Sequence, residues 1–97
     1  MKIYISGMVT GLPKFIYKRQ FARAEKQLRD QGFYVFNPVK YDDEDKIKTW
    51  ADYMKRDIKA LCECDAIFLL KSWKHSKGAR LEVEIAQALG MEILGNV

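Results

Sequence analysis

Cysteine, proline and histidine are scarce in this 97-residue chain, with two, two and one respectively. Cys62 and Cys64 stand two apart, a spacing that on a helix sends them to different faces. Neither a disulfide nor half a zinc site is expected from them, and both read as reduced structural thiols. The single histidine, His75, sits between Lys74 and Ser76 in a polar stretch and reads as a loop residue. No metal ion and no cofactor is called for. No apolar run approaches the roughly 18 residues needed to span a membrane. The opening Met1-Lys2-Ile3-Tyr4-Ile5 is too short for a signal peptide and passes directly into a motif, so a cytoplasmic protein is expected. A strong excess of one charge is also missing. The net charge is +4 and the pI about 9.1, with Lys and Arg spread along the chain. A nucleic-acid surface needs them clustered on one face, and none is expected here.

What is present suits a globular fold: 48% hydrophobic and 31% charged residues, close to ordinary usage. The length is that of one domain, 1–97. A domain this short buries only roughly 60–65% of the surface its unfolded chain exposes. The core is therefore thin, and self-association into a dimer or higher closed oligomer is expected. Trp50, Tyr53 and Met54 are the candidate contacts.

Along the chain, short apolar runs alternate with helical periodicity. Ile3-Tyr4-Ile5 reads as a first strand, closed by Ser6-Gly7. From Phe15 to Gln31 the apolar positions Tyr17, Phe21, Ala24 and Leu28 recur at helical spacing, with Gly32 as the stop. Phe33 to Phe36 reads as a second strand, ended by Asn37-Pro38. Val39 to Lys48, with its run Asp42-Asp43-Glu44-Asp45, has no period and reads as a polar, mobile loop. Thr49 with Asp52 three residues on forms a capping box that opens a second helix, running to about Cys62. Asp65 introduces Ala66 to Leu70, an uninterrupted apolar run of the kind found in central parallel strands. A polar loop from Lys71 to Lys77 precedes a third helix over Ala79 to Leu89, and Glu92-Ile93-Leu94 is a last strand.

This alternation predicts right-handed crossovers and a three-layer α/β/α fold of the flavodoxin or Rossmann-like kind. Its four-stranded parallel sheet should have the order 2-1-3-4. Ligands of such sheets bind beyond the carboxyl ends of the strands, where the winding reverses. Ser6 and Gly7 after the first strand, and Ser76 and Gly78 after the third, should therefore border one pocket.

Three features carry chemistry. Trp50, Met54, Asp57 and Leu61 share one helix face, and an ionised carboxylate on that face is costly to bury alone. Asp57 is thus either functional or paired with a Lys or Arg at the stripe's edge. Ser76-Lys77-Gly78 opens a helix in the manner of an anion cradle. Glu82 follows within about the first turn, beside a Leu81, Ile85, Leu89 stripe, where a helix dipole alone would favour it. Tyr4-Ile5-Ser6-Gly7 puts a hydroxyl and an adaptable glycine at the mouth of the first strand. Trp73 is a single loop aromatic, which by itself does not establish a surface that covers a base.

Taken together, Tyr4-Ile5-Ser6-Gly7, Asn37-Pro38, Asp57 with Asp65 eight residues later, and Ser76-x-Gly78 with Glu82 resemble the nucleoside 2-deoxyribosyltransferase superfamily. The match is to its small uncharacterised bacterial and phage branch with an N-terminal Tyr-Ile-Ser-Gly-Pro-Met-Thr-Gly signature, read here as Tyr4 to Gly11 with Met8 for the Pro. The resemblance implies N-glycosidic chemistry on a deoxynucleoside or deoxynucleotide. Glu82 matches the carboxylate that attacks the anomeric carbon, Asp57 the assisting carboxylate, and Tyr4 the hydroxyl that holds the nucleophile. Ser6, Gly7, Ser76 and Gly78 match substrate-binding positions. Ser-x-Gly is the pattern of the nucleotide N-hydrolase branch, which implies a 5′-monophosphate ligand. A nucleotide sensor without turnover and an interaction module are the competing readings, and the two carboxylates favour the enzyme.

Overall fold

The computed structural model describes residues 1–42 and 49–97, so Asp43-Glu44-Asp45 lies outside the described residues. The elements run β1 (Lys2–Ser6), α1 (Lys14–Asp30), β2 (Tyr34–Phe36), α2 (Trp50–Cys62), β3 (Ala66–Leu69), α3 (Lys77–Ala88) and β4 (Glu92–Gly95). The sheet is four-stranded, with order β2-β1-β3-β4, and every neighbouring pair is parallel. The α/β class and the strand order expected from the alternation are both found.

Strand periodicity divides the core in two. Successive side chains of β1 point to opposite faces, and both faces are covered, so Ile3, Tyr4, Ile5 and Ser6 are all buried. Ile3 and Ile5 join Phe21, Ala24 and Leu28 of α1. Tyr4 joins Leu61 of α2, Ile67 and Leu69 of β3, and Val83 and Ala86 of α3. One helix thus covers one face and two cover the other. Each fully buried Ile, Leu or Phe contributes about 1.5–3 kcal/mol relative to exposure.

Local signals explain most boundaries. Thr49 caps α2 through its hydroxyl, which accepts from the Asp52 N–H at 3.1 Å. Asp65 ties β3 to β1: its carboxylate accepts from the Lys2 N–H, and its own N–H donates to the Lys2 carbonyl, both at 2.8 Å. Cys62 is exposed and Cys64 buried, and both are free thiols.

Two boundaries differ from expectation. Pro38–Tyr41, read as the start of an irregular loop, is a 3₁₀ turn capped by Asn37, whose side chain accepts from the Val39 N–H. Asn37 is itself held by a buried carboxylate that periodicity could not reveal. Glu25 on α1 is 6% exposed and accepts from Arg29 at 2.7 Å, Lys40 at 2.9 Å and Asn37 at 3.1 Å. Burial pushes the Glu25 carboxyl up, but these three donors outweigh it and hold the group below its usual range. The Asn37-Pro38 pair therefore serves to clamp the segment after β2 to α1.

The second difference concerns α3, which begins at Lys77 rather than Ala79. The Ser76 hydroxyl accepts from the Ala79 N–H at 3.1 Å, so the helix starts directly after its cap and takes Gly78 into its first turn. The buried face of α3 is Ala79, Glu82, Val83 and Ala86, not the expected stripe, and Leu89 is exposed. With the earlier start, Glu82 stands in the second turn, beyond the dipole explanation.

Candidate functional site

A cavity of about 650 Å³ opens beyond the carboxyl ends of β1 and β3. Tyr4, Ser6, Gly7, Asp57, Ser76, Gly78 and Glu82 all line it. The switch point of the sheet thus brings together all seven residues singled out from the sequence. Their parts in it differ from one another.

Glu82 is the centre. It is 5% exposed, yet each of its carboxylate oxygens is served. Tyr4 and Ser6 lie two apart on β1 and so project from the same face, the one on which α3 packs. The Tyr4 hydroxyl donates to Glu82 Oε2 at 2.5 Å and the Ser6 hydroxyl to Glu82 Oε1 at 2.7 Å. Burial pushes the Glu82 carboxyl up to about 7, with the neighbouring Asp57 adding to the rise and the two hydroxyl donors opposing it. The Tyr4 phenol is held well above its usual range, chiefly by burial and then by the charges of Glu82 and Asp57. Ser6 was expected to bind substrate. In the structure Ser6 lines the cavity and its hydroxyl donates to Glu82.

Asp57 has the Arg partner that one of the two sequence readings gives it. It lines the cavity and is also ion-paired, with its Oδ1 2.9 Å from Arg56 Nε and 2.8 Å from Arg56 Nη2. The same guanidinium donates to Asp42 Oδ1 at 2.7 Å and to the Pro38 carbonyl at 3.2 Å. Sequence reading missed Arg56 and Asp42. Adjacent residues on a helix point about 100° apart, so periodicity gives no hint that Arg56 folds back onto its neighbour. Three carboxylates, Asp42, Asp57 and Glu82, therefore border one space.

Two lysines, Lys14 and Lys77, are among the exposed residues of the lining. Lys14 at the start of α1, and His75, Ser76 and Lys77 at the start of α3, line the opening. The Lys77 ammonium lies 4.3 Å from the centroid of the Trp50 ring, a cation–π contact. Ser76 uses its hydroxyl oxygen as the helix cap, so what the first turn offers an anion is the backbone N–H groups of Lys77 and Gly78. Trp50, Tyr53 and Met54, the expected subunit contacts, line the cavity. Trp73 does not line it. Its indole N–H donates to the Asn96 carbonyl at 2.5 Å, anchoring the C-terminal segment rather than covering a base.

Both glycines sit where packing is tight, Gly7 more so than Gly78. A Cβ on Gly78 would lie 3.1 Å from Met54 Sδ, so glycine lets α3 approach α2. At Gly7 a Cβ would meet Leu70 Cδ1 at 2.7 Å and Leu70 Cβ at 2.9 Å. The second of these atoms cannot rotate away. Gly7→Ala should therefore lower stability by about 1–3 kcal/mol, the usual cost of overpacking, as read from urea melts. A melt superimposable on the parent's would show that glycine is not needed there for space.

Among the described residues, no group of three His, Cys, Asp or Glu side chains could hold a metal ion, and no helix is long and apolar enough to cross a membrane. Residues 1–95 match the model of a family described as a domain of unknown function, DUF4406. A comparison with curated proteins gives no match.

Proposed function

From the premise that the chain belongs to the DUF4406 family, whose description assigns no activity, we propose that it cleaves or transfers the N-glycosidic bond of a 2-deoxyribonucleoside, or of its 5′-monophosphate. The observation that carries this reading is the buried Glu82 carboxylate, gripped on both oxygens by Tyr4 and Ser6 and facing Asp57 across one cavity. A carboxylate so oriented is built for attack, not for solvation. The likeness of the motifs to the nucleoside 2-deoxyribosyltransferases supports the same assignment.

In the proposed reaction a Glu82 oxygen forms a bond to the anomeric carbon as the carbon–nitrogen bond breaks. The departing base keeps that bond's electron pair and takes up a proton drawn from solvent water, for which Asp57 is the neighbouring relay. Water, or the nitrogen of a second base, then displaces Glu82 and gives up its own proton. The rim offers the 5′ end of the substrate the Lys77 ammonium and the first amides of α3.

Incubation with a panel of deoxynucleosides and their monophosphates, read by chromatography for free base, tests the proposal. Release from at least one substrate is expected, and monophosphates should be the better class. Only ionised Glu82 can attack. Since its carboxyl titrates at about 7, kcat/KM should rise with pH through a limb near neutrality and fall off about tenfold per unit below it. A rate flat from pH 5 to 8 would remove Glu82 as nucleophile.

One observation favours a second reading, a nucleotide-binding protein without turnover. Glu82 and Asp57 already hold protein partners, as structural carboxylates do. Saturable nucleotide binding with no base released from any member of the panel would select it.

A further inference from the structure

Arg56 lies outside the cavity lining, yet it touches two of its walls. From α2 its guanidinium reaches Asp57 on the same helix, and Asp42 and the Pro38 carbonyl in the segment after β2. Pro38, Asp42 and Asp57 all face the cavity. The arginine side chain is 18% exposed, and those of Asp42 and Asp57 are 14% and 15% exposed. This is therefore a largely desolvated bridge rather than a surface ion pair, and such bonds are both short and directional. The centroid of the Tyr53 ring lies 5.5 Å from the guanidinium carbon, a cation–π contact.

We propose that Arg56 is the positioning residue of this site, fixing the Asp57 carboxylate toward the bound sugar and setting the distance between α2 and the Pro38–Asp42 wall. The inference rests on the glycosidic reading for its chemical consequence but not for its geometry. Two demands are met by one group. An aspartate side chain has two torsions, and the paired contacts of Arg56 Nε and Nη2 to a single oxygen select one orientation of it. The Asp42 and Asp57 carboxylates would repel one another across the gap between the two walls, and the shared guanidinium turns that repulsion into a link. A lysine cannot reproduce this, because its single ammonium has no planar fork with which to serve two carboxylates and a carbonyl together.

The test compares the parent protein with Arg56→Lys and Arg56→Met. Three-bond couplings to the side-chain carboxyl carbon report the χ1 distribution of Asp57 without reference to activity. A single rotamer is expected in the parent and averaging over several in Arg56→Met. Arg56→Lys keeps the charge, and its melt should stay close to the parent's. Its kcat for base release should fall about 10–100-fold with KM within about threefold of the parent, since misplacement of a reacting group by ~1 Å costs this much. The proposal is overturned if Asp57 stays locked in one rotamer in Arg56→Met, or in Arg56→Lys should the methionine variant not fold. It is equally overturned if Arg56→Lys retains the parent's kcat. A parent that releases no base from any substrate ends the glycosidic reading, and the couplings alone then decide whether Arg56 positions Asp57.

Discussion

Glu82→Gln should release no detectable base and should resist urea better than the parent at pH 8. The activity loss is expected to equal or exceed the ~10²–10⁴-fold contribution of a positioned acid or base, because an amide cannot form the covalent bond to the anomeric carbon. The stability gain follows from linkage. The folded carboxyl titrates at about 7 against an ordinary value of 4.5, burial being the main cause. Between those two pH values the folded protein holds a proton that the unfolded chain has lost, so stability falls as pH rises across the window. Above it the parent carries the full cost of a buried charge, on the order of 3 kcal/mol. Glutamine removes that cost and still serves both hydroxyls, accepting from one with its carbonyl and donating to the other with its amide. Allowing for the weaker neutral hydrogen bonds, a gain of about 1–3 kcal/mol at pH 8 is expected, shrinking toward zero at pH 5. A glutamine variant less stable than the parent at pH 8 would mean that the ionised group holds the fold together, and Glu82 would then be a structural carboxylate.

Asp57→Asn should also stop base release, by ~10²–10⁴-fold, but with the opposite effect on stability. Asp57 is paired to a guanidinium that is only 18% exposed. Asparagine can still accept a hydrogen bond from Arg56, yet it offers no charge, and Arg56 is left with Asp42 as its carboxylate partner among the described residues. A loss of about 1–2 kcal/mol is expected. Urea melts of the two variants, run beside the substrate panel, should therefore move in opposite directions at pH 8. This contrast separates a carboxylate held against its own solvation from one held in an ion pair. Melts that moved together would show that the environments of Glu82 and Asp57 are not as different as their partners imply.

The order of elements and the place of the site were legible in the residues themselves. Alternation of β-type apolar runs with helical periodicity leaves few topologies once crossovers are right-handed, and β2-β1-β3-β4 is the one found. The switch-point rule puts Ser6, Gly7, Ser76 and Gly78 at one cavity, and all four line it. Periodicity puts Asp57 on one helix face with Trp50, Met54 and Leu61. Met54 and Leu61 are buried and Asp57 is half-buried, while Trp50 at the start of the helix is exposed.

Only the tertiary structure decided what each of these groups does. Glu82 was expected early in α3 beside an apolar stripe. The helix starts at Lys77, directly after its Ser76 cap, and packing against the sheet buries the face that carries Glu82 rather than the one that carries Leu81. The Ser6 hydroxyl was free to face substrate as far as sequence could say, and α3 packing across β1 gave it to Glu82. Arg56 carries no periodic signal, because its contacts run to the residue beside it and to Asp42 fourteen positions away. The division has a physical cause. Hydrophobic burial and strand alternation are properties of short stretches and repeat along the chain, so sequence alone determines the layers and the edge at which a ligand can enter. Hydrogen bonds and ion pairs depend on the meeting of atoms from distant segments to within a fraction of an ångström, and no spacing along the chain encodes that distance.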